Sequence, residues 1–474
     1  MYRRGNKIVV GSTQSGKSYS EVDVILEAAN DRRIAIVGLD PHARSLVRNS
    51  VTHLVARGHE RRIIWDQLDE LRSAPKYRFL PRSHAHHPLE RAKQNHQTAE
   101  EFTELLCRRR DTHSLTTSPL LEEWTMKAIL LLLNQPHDHL AADLRYVFKP
   151  GHPTFARLVR NCQHPDVRYD FEQIAEGVIK SGQFSAAARL INAICDAPAF
   201  IARDGFAFNL STFLDGCGIL LVEGGPVSQP VLQTILGCLI LQTIHYVRTR
   251  SRPYPRILLV LDEATNANLV GAAGHEVRAL AECQKMGLDI HILVQSLNFP
   301  SSYVTDGVLT NCIRHEWFYA ANAAVARKAA EDLGNHDLET VIRNLKVGER
   351  YVKDRDHVFC DQVPLLPDPW IFPKLAERKV QKAIARIRQR PEYGGNDSCP
   401  PGTTVTPPSD SSPPDTSAVA ATSSDSSPAR RRRTAGSKSS ANKEPSGSSA
   451  PPSSGTTDDP NESTAMDGDP NTTN

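Results

Sequence analysis

The chain has 474 residues, of which 39% are hydrophobic and 23% charged, a globular balance that is long enough for two or three domains at about 100–200 residues each. Its 56 Lys and Arg residues nearly offset its 54 Asp and Glu residues, so a polycationic nucleic-acid binder is excluded and any nucleic acid must meet a local basic patch. The nine cysteines include no CxxC pair and several lie in apolar runs, which favours buried thiols in a reducing compartment over a disulfide framework.

Short apolar strands alternate with helices along most of the chain. The strands are predicted at Lys7–Val10, Ile34–Leu39, Arg62–Trp65, Gly218–Val222, Ile257–Leu261 and Asp289–Val294. This alternation is typical of an α/β fold with a mainly parallel sheet and helices on both faces. Residues 86–205 lack strand signals and are mostly helical in pattern, so they predict an all-helical domain inserted into the α/β core.

The C-terminal part of the chain differs in composition. Residues 373–390 predict a basic amphipathic helix, which would either pack on the core or contact nucleic acid. From residue 391 the chain is rich in Ser, Thr, Pro and Gly and nearly free of aliphatic residues, so a disordered tail is predicted, with a basic run at Arg430–Arg433. The expected organisation is therefore residues 1–85 and 206–372 as two parts of the α/β core, 86–205 as the insertion, 373–390 as the helix and 391–474 as the tail.

A phosphate-binding loop follows the first strand directly. Gly11-Ser12-Thr13-Gln14-Ser15-Gly16-Lys17-Ser18 matches GxxxxGK[ST], and a helix is predicted after it, which is the strand–loop–helix context that this motif requires. The two glycines permit a tight loop whose N–H groups converge on phosphate, and the helix N-terminus adds a positive dipole end. Lys17 is expected to reach the β- and γ-phosphates and the Ser18 hydroxyl to bind Mg2+.

An acidic strand end supplies the second half of the predicted site. The five apolar residues 257–261 form a strand that ends in Asp262 and Glu263, a Walker B pattern. Asp262 is expected to hold Mg2+, and Glu263 to polarise the attacking water as general base. Gln295 ends the next strand, where a polar side chain can sense the γ-phosphate. No guanine-specific NKxD motif is present, so ATP is favoured over GTP.

Neither secretion nor membrane insertion is predicted. Met1–Asn6 is polar and predicts no signal peptide, and the most apolar helix, Val231–Val247, is interrupted by polar residues and is expected to be buried rather than to span a membrane. A cytoplasmic protein is expected. The basic residues Arg3, Arg4, Lys7 and Arg108–Arg110 are expected to be solvated.

Several local patterns outside the phosphate loop complete a resemblance that covers roughly residues 7–372. They are Asp40-Pro41 after the second strand, Leu121–Trp124 opening an apolar helix, Phe208–Val222, Leu280–Leu288 followed by Gln295-Ser296, Asn311 before a further strand at Arg314–Ala320, and Leu345–Arg350. Together they resemble the FtsK–HerA superfamily of P-loop ATPases, within it most of all the TraG/TraD type of coupling protein from conjugation and type IV secretion.

The resemblance implies an ATP- and Mg2+-dependent motor that moves DNA through the pore of a homo-hexamer. It assigns Lys17 and Ser18 to phosphate and metal, Asp262 and Glu263 to metal and water, and Gln295 to sensing. It also implies an arginine that reaches a neighbouring subunit's nucleotide, for which Arg278 and Arg314 are the candidates. Two departures stand out, because the family's Arg-Lys pair is Gln284-Lys285 here and no membrane anchor is predicted before the loop. Separate membrane-anchor or channel proteins, and recruitment to the inner face of the membrane, are therefore expected.

Other functions are compatible with the same motifs. A phage or viral genome-packaging ATPase belongs to the same superfamily. A P-loop switch or defence ATPase would bind nucleotide without moving DNA. An interaction scaffold with residual nucleotide binding is disfavoured by the intact Lys17, Ser18, Asp262 and Glu263.

Overall fold

The computed structural model describes residues 2–42, 46–81, 83, 85, 87–107, 118–265, 269, 275–366 and 373–393, all within one compact unit. The strands are β1 (Lys7–Val10), β2 (Ile34–Asp40), β3 (Ile63–Gln67), β4 (Ile219–Glu223), β5 (Arg256–Leu261), β6 (Leu288–Val294), β7 (Arg314–Phe318), β8 (Glu349–Asp354) and β9 (His357–Gln362). They form one sheet in the order β3-β4-β2-β5-β6-β1-β7-β8-β9.

Helices cover both faces of this sheet. They are α1 (Lys17–Asn30), α2 (Leu46–Ala56), α3 (Pro88–Cys107), α4 (Pro119–Leu133), α5 (Pro153–Asn161), α6 (Pro165–Ala175), α7 (Ser181–Cys195), α8 (Pro198–Ile201), α9 (Leu210–Asp215), α10 (Gln229–Thr249), α11 (His275–Glu282), α12 (Ser302–Asn311), α13 (Ala323–Asp332), α14 (Leu338–Ile342) and α15 (Pro373–Arg388).

The parallel part of the sheet confirms the predicted fold class. Strands β1 to β7 pair in parallel, and every residue of β1, β2 and β6 is buried, as continuous apolar runs require when helices cover both faces. The hairpin β8–β9 is antiparallel and was not predicted. At most three apolar residues are adjacent in either strand and β9 is mostly exposed, so the hairpin lacks the longer apolar run that reveals the central strands.

The segment between β3 and β4 is helical, as expected. Helices α3 to α9 lie in it, and no strand is assigned among its described residues. Trp124 of α4 packs at its centre, with ring centroids 6.1 Å from those of both Phe171 and Phe184. A buried ion pair ties this segment to the sheet, because Arg203 Nη2 lies 2.7 Å from Oδ1 of Asp66 in β3. The domain boundaries drawn from the sequence stay predictions.

The most apolar helix is α10, which contains the predicted buried helix. By length and composition α10 is the one described helix that could cross a membrane. In this structure, however, 78% of its most apolar window is buried inside the protein, as in a core helix.

Helix α15 packs on the core with its apolar face, the first of the two predicted alternatives. Ala383 and Ile387 are buried, and the Arg388 guanidinium donates to Oε1 of Gln67 at 2.6 Å. The basic residues Arg378 and Lys382 are exposed. Residues 391–393, placed by sequence in the tail, form a 3-10 turn that is ordered because the Tyr393 ring is buried and its hydroxyl donates to Trp65 O at 3.0 Å. The rest of the predicted tail, including Arg430–Arg433, lies outside the described residues.

Candidate nucleotide site

The predicted phosphate loop lies at the carboxyl end of β1, between the ends of β6 and β7. The N–H of Gly11 donates to Val294 O at 3.2 Å, and the N–H of Ser12 donates to Tyr319 O at 2.8 Å. A Cβ on Gly11 would lie 2.6 Å from Cβ of Phe318, so only glycine fits there. The flanking strands therefore hold the base of the loop on both sides.

The loop ends in the N-terminus of α1. Gly16 adopts φ +105°, a left-handed conformation that glycine tolerates, and Lys17 is the first helical residue. Among the described residues, none accepts a hydrogen bond from the N–H groups of Lys17, Ser18 or Tyr19. These free donors and the helix dipole point at one place, which is the arrangement that binds phosphate.

Lys17 lies over the loop. Its side chain is 4% exposed, and Nζ donates to Gly11 O at 2.6 Å and to Ser12 O at 3.1 Å. The same Nζ is 3.9 Å from Oε1 of Glu263. Burial lowers the pKa of Lys17, while the charges of Glu263 and Asp262 act in the opposite direction. The ammonium group is therefore held between the loop and the acidic end of β5.

Ser18 and Asp262 meet as the sequence predicts. The Ser18 hydroxyl donates to Oδ2 of Asp262 at 3.0 Å. Burial, and after it the charge of Glu263, raises the pKa of Asp262 to about 6, against the effect of the Ser18 hydrogen bond. A hydroxyl beside a carboxylate is an oxygen pair that suits Mg2+, and a bound cation would favour the ionised carboxylate. No cluster of three or more His, Cys, Asp or Glu side chains suited to a metal occurs in the described ranges, so phosphate and water would complete the coordination.

Glu263 follows Asp262 in a strained turn. Its φ is +48°, which is uncommon for a residue with a side chain, and its own N–H donates to Oδ1 of Asp262 at 3.0 Å. The turn is held because the next N–H, of Ala264, donates to Leu293 O of β6 at 3.0 Å. The strain places the Glu263 carboxylate beside Lys17, at the end of the loop where a γ-phosphate would lie.

Strand order brings Gln295 to the same edge. Strand β6 lies between β1, which carries the loop, and β5, which carries Asp262 and Glu263. Gln295 follows the last residue of β6, Val294, whose carbonyl accepts from Gly11. Gln295 therefore lies at the same end of the sheet as Lys17 and Glu263, and its role as a sensor stays a prediction.

Structures of known proteins share this architecture. The chain is similar to an unbound form of the bacterial conjugative coupling protein TrwB, with a TM-score of 0.54 and 14% identity over 78% of this chain and 87% of that one. It is similar to the plasmid coupling protein TrwB in complex with ADP and Mg2+, with a TM-score of 0.53 and 14% identity over 77% and 87% of the two chains. For VirB4 of Thermoanaerobacter pseudethanolicus the TM-score is 0.51, with 14% identity over 77% and 92%.

The fold is that of a P-loop NTPase. The likeness to a coupling protein confirms, at the level of the fold, the resemblance that the sequence motifs indicate. No protein-family model matches the chain, and no curated protein matches it.

The two candidate arginines lie in different surroundings. Arg278 is exposed on α11. Arg314 is the first residue of β7 and pairs with Lys7, the first residue of β1. It therefore lies at the amino ends of the strands, whereas the phosphate loop lies at their carboxyl ends. Its guanidinium is 2.7 Å from Glu316 and 3.3 Å from Asp354, so acidic partners of the same chain already hold it. Both assignments stay predictions.

Contacts from residues beyond β7 also shape the loop, and sequence reasoning missed them. The Ser12 hydroxyl accepts from the N–H of Ala321 at 2.9 Å. The carbonyl of Ser15 accepts from the N–H of Gly348 at 2.9 Å. The glycine in the Leu345–Arg350 motif was a signal that could have pointed to the second contact.

The expectation that Lys7 is solvated is wrong. Its side chain is 3% exposed, and Nζ lies 2.5 Å from Glu21 and 3.5 Å from Glu316. Glu21 belongs to α1 and also contacts His291 of β6. Lys7 is buried because two carboxylates from other elements neutralise its charge, which a local basic cluster does not reveal.

Proposed function

We propose that this protein is an ATP-dependent DNA translocase, a motor ATPase of conjugative transfer, type IV secretion or a related mobile-element process. The observation that carries the proposal is the convergence of Lys17, Ser18, Asp262 and Glu263 at one end of the sheet, with β6 between β1 and β5. That strand order and acidic pair suit hydrolysis rather than nucleotide storage, because a carboxylate is held where a water must be activated.

Each residue has a distinct role in the proposed hydrolysis. Gly11–Ser18 binds the phosphates through free N–H groups, and Lys17 turns from the loop carbonyls to the β- and γ-phosphates. Ser18 and Asp262 hold Mg2+, which supplies charge neutralisation on the phosphate oxygens when bound. Glu263 accepts the proton of the attacking water, and Gln295 orients that water.

The DNA motor is supported by the fold. The solved structures with the same architecture are named as conjugative coupling proteins and as VirB4, and one of them holds ADP and Mg2+. By analogy we propose a homo-hexamer that takes DNA through its centre and uses Arg278 or Arg314 in trans. We also propose a cytoplasmic protein that separate membrane-anchor or secretion-channel proteins recruit to the inner face of the membrane.

Steady-state turnover with and without DNA tests the proposal. ATP and GTP hydrolysis by the purified full chain would be measured alone, with single-stranded DNA and with double-stranded DNA, beside Lys17→Ala and Glu263→Gln. We expect DNA to stimulate ATP turnover, Glu263→Gln to lower turnover at least about 100-fold with nucleotide still bound, and Lys17→Ala to abolish both. The exposed Lys180→Ala serves as the matched lysine control.

The outcomes separate the alternatives. An ATP turnover rate that does not change when DNA is added would favour a nucleotide switch or defence ATPase. Absence of nucleotide binding would overturn the proposal altogether. DNA affinity that falls steeply with salt would support contacts to phosphates, because bound counterions are released. Stimulation by double-stranded DNA alone would favour genome packaging within the same superfamily.

A further inference from the structure

The edge hairpin, residues 346–366, contacts the phosphate loop and the first turns of α1 at successive points. The N–H of Gly348 donates to Ser15 O at 2.9 Å. The N–H of Leu366 donates to the Tyr19 hydroxyl at 2.8 Å, and the Arg350 guanidinium donates to the Ser20 hydroxyl at 2.6 Å. One face of the loop and helix is therefore attached to a part of the sheet that carries no phosphate-binding residue of its own.

The contact at Ser15 sets the direction of a donor in the loop. The carbonyl and N–H of a trans peptide point in opposite directions. Because Gly348 holds the Ser15 carbonyl outwards, the N–H of Gly16 in the same peptide is directed towards the inside of the loop. The two glycines pack backbone to backbone, since a Cβ on Gly16 would lie 3.1 Å from Gly348 N.

Arg350 holds the hairpin in this place. Its side chain is 9% exposed, and Nη1 donates both to Ser20 and to Oε2 of Glu316 at 2.8 Å, while Nη2 donates to Oδ2 of Asp361 at 2.7 Å. Burial alone would raise the pKa of Glu316, but the charges of Lys7, Arg350 and Arg314 lower it to about 2. Glu316 thus stays ionised and gives Arg350 a permanent partner in β7.

The space around this contact is open. Arg350, Ser20 and Glu316 line a cavity of about 470 Å3 between α1 and the amino ends of β1 and β7. Hydrogen bonds, rather than close apolar packing, therefore join the hairpin to the helix there. Removing the Arg350 side chain therefore takes away its hydrogen bonds to Ser20, Glu316 and Asp361 together, and apolar neighbours cannot replace them.

We propose that Arg350 is a positioning residue for the phosphate loop, which it acts on through Ser20 and the edge hairpin without touching the nucleotide. The inference rests on the proposed nucleotide binding at Gly11–Ser18. In this proposal the edge hairpin controls nucleotide affinity, and Lys17, Asp262 and Glu263 carry out ATP hydrolysis.

Nucleotide affinity and turnover in Arg350 and Ser20 variants test this role. Titration with Mg·ATP should show about tenfold weaker binding for Arg350→Ala, the effect of losing a charged hydrogen bond that helps to form the site. Ser20→Ala should weaken binding in the same direction, and the double variant should be no weaker than Arg350→Ala alone, since both remove one interaction. KM should rise about tenfold while kcat stays within about twofold, and Arg350→Lys should recover part of the loss.

A matched control comes from the same strand. Lys353 of β8 pairs with Asp332 at 2.9 Å and, among the described residues, makes no hydrogen bond or ion pair with α1, so Lys353→Met should lower stability without changing ATP affinity. Equal loss of affinity in Lys353→Met and Arg350→Ala would overturn the inference, because any weakening of the sheet edge would then suffice.

Smaller changes keep the test decisive where Arg350→Ala does not fold. Tyr19→Phe removes only the hydroxyl that contacts Leu366. Tyr19→Phe and Ser20→Ala, each as a single variant, should still weaken Mg·ATP binding. Unchanged affinity in both folded variants would refute the positioning role. Failure of the wild-type chain to bind Mg·ATP would instead refute the proposed function, so the two failures are distinguishable.

Discussion

The Ser18 hydroxyl donates a 3.0 Å hydrogen bond to Oδ2 of Asp262, although 244 positions separate the two residues. Ser18 lies in the first turn of α1, which follows β1, and Asp262 follows the last residue of β5. The contact therefore joins the ends of two strands that are separated in the sheet by β6. The pair is the expected Mg2+ site.

Ser18→Ala and Asp262→Asn should each lower Mg2+-dependent ATP turnover at least about 100-fold, because a metal contributes several kcal/mol to the transition state. Binding of ATP in EDTA should change far less, since the loop N–H groups and Lys17 remain. Isothermal titration with and without Mg2+ measures this difference. Ser50→Ala, which removes another buried hydroxyl outside the site, should leave turnover unchanged. Equal Mg2+ dependence in wild type and Asp262→Asn would show that the metal is held elsewhere.

Alanine variants of the two candidate arginines should differ in their melting temperature and in their rate of ATP turnover. Arg314→Ala should lower the melting temperature, because Glu316 and Asp354 each lose a cationic partner. Arg278→Ala should leave the melting temperature unchanged, since the side chain is exposed, but should lower kcat in the assembled protein. Mixing Arg278→Ala with Lys17→Ala subunits should restore part of the turnover if the arginine acts in trans. No restoration, with kcat unaffected in Arg278→Ala, would remove it as a candidate.

The buried ion pair between Asp66 and Arg203 should dominate the attachment of the helical segment. Both side chains are at most 1% exposed, and Tyr77 also donates to Asp66 at 2.9 Å. Arg203→Met should cost about 3–5 kcal/mol of unfolding free energy, because it leaves a buried carboxylate without its cation. Arg168→Met breaks an exposed helical pair with Glu172 and should cost at most about 1 kcal/mol in the same urea titration. Similar losses in both variants would contradict a special role for the buried pair.

Stability should also depend on pH through Asp204. Burial raises the pKa of this carboxyl from 3.8 to about 6, although the N–H groups of Ala141 and Ala142 favour the ionised form. Because the folded state holds the proton more tightly, the contribution of Asp204 to stability is complete below about pH 4 and is lost as the pH rises through about 6.

The unfolding free energy of wild type minus that of Asp204→Asn should therefore fall by up to about 3 kcal/mol between pH 4 and pH 7. Denaturant titrations at several pH values measure this slope. A flat difference for Asp204→Asn would show that its carboxyl titrates alike in the folded and unfolded chain.

The sequence by itself determined the phosphate loop, the Walker B strand end and the parallel core. Each is a local pattern: the loop must follow a strand and begin a helix, and continuous apolar runs such as residues 257–261 can only be buried strands or helices. The metal pair followed from these patterns, because the carboxyl ends of parallel strands share one edge of the sheet. Ser18 and Asp262 could thus be paired before their distance was known.

Only the tertiary structure decided which charged groups are buried and that the edge hairpin contacts the phosphate loop. From the sequence alone Lys7 is predicted to lie at the surface, but in the folded chain Glu21 of α1 and Glu316 of β7 contact its ammonium group. The edge hairpin has no apolar run, and its contact with Ser15 depends on strand order rather than on any local motif. Partners that are distant in sequence carry no periodic signal, and the free energy of a buried charge is set by those partners, so only the folded chain reveals them.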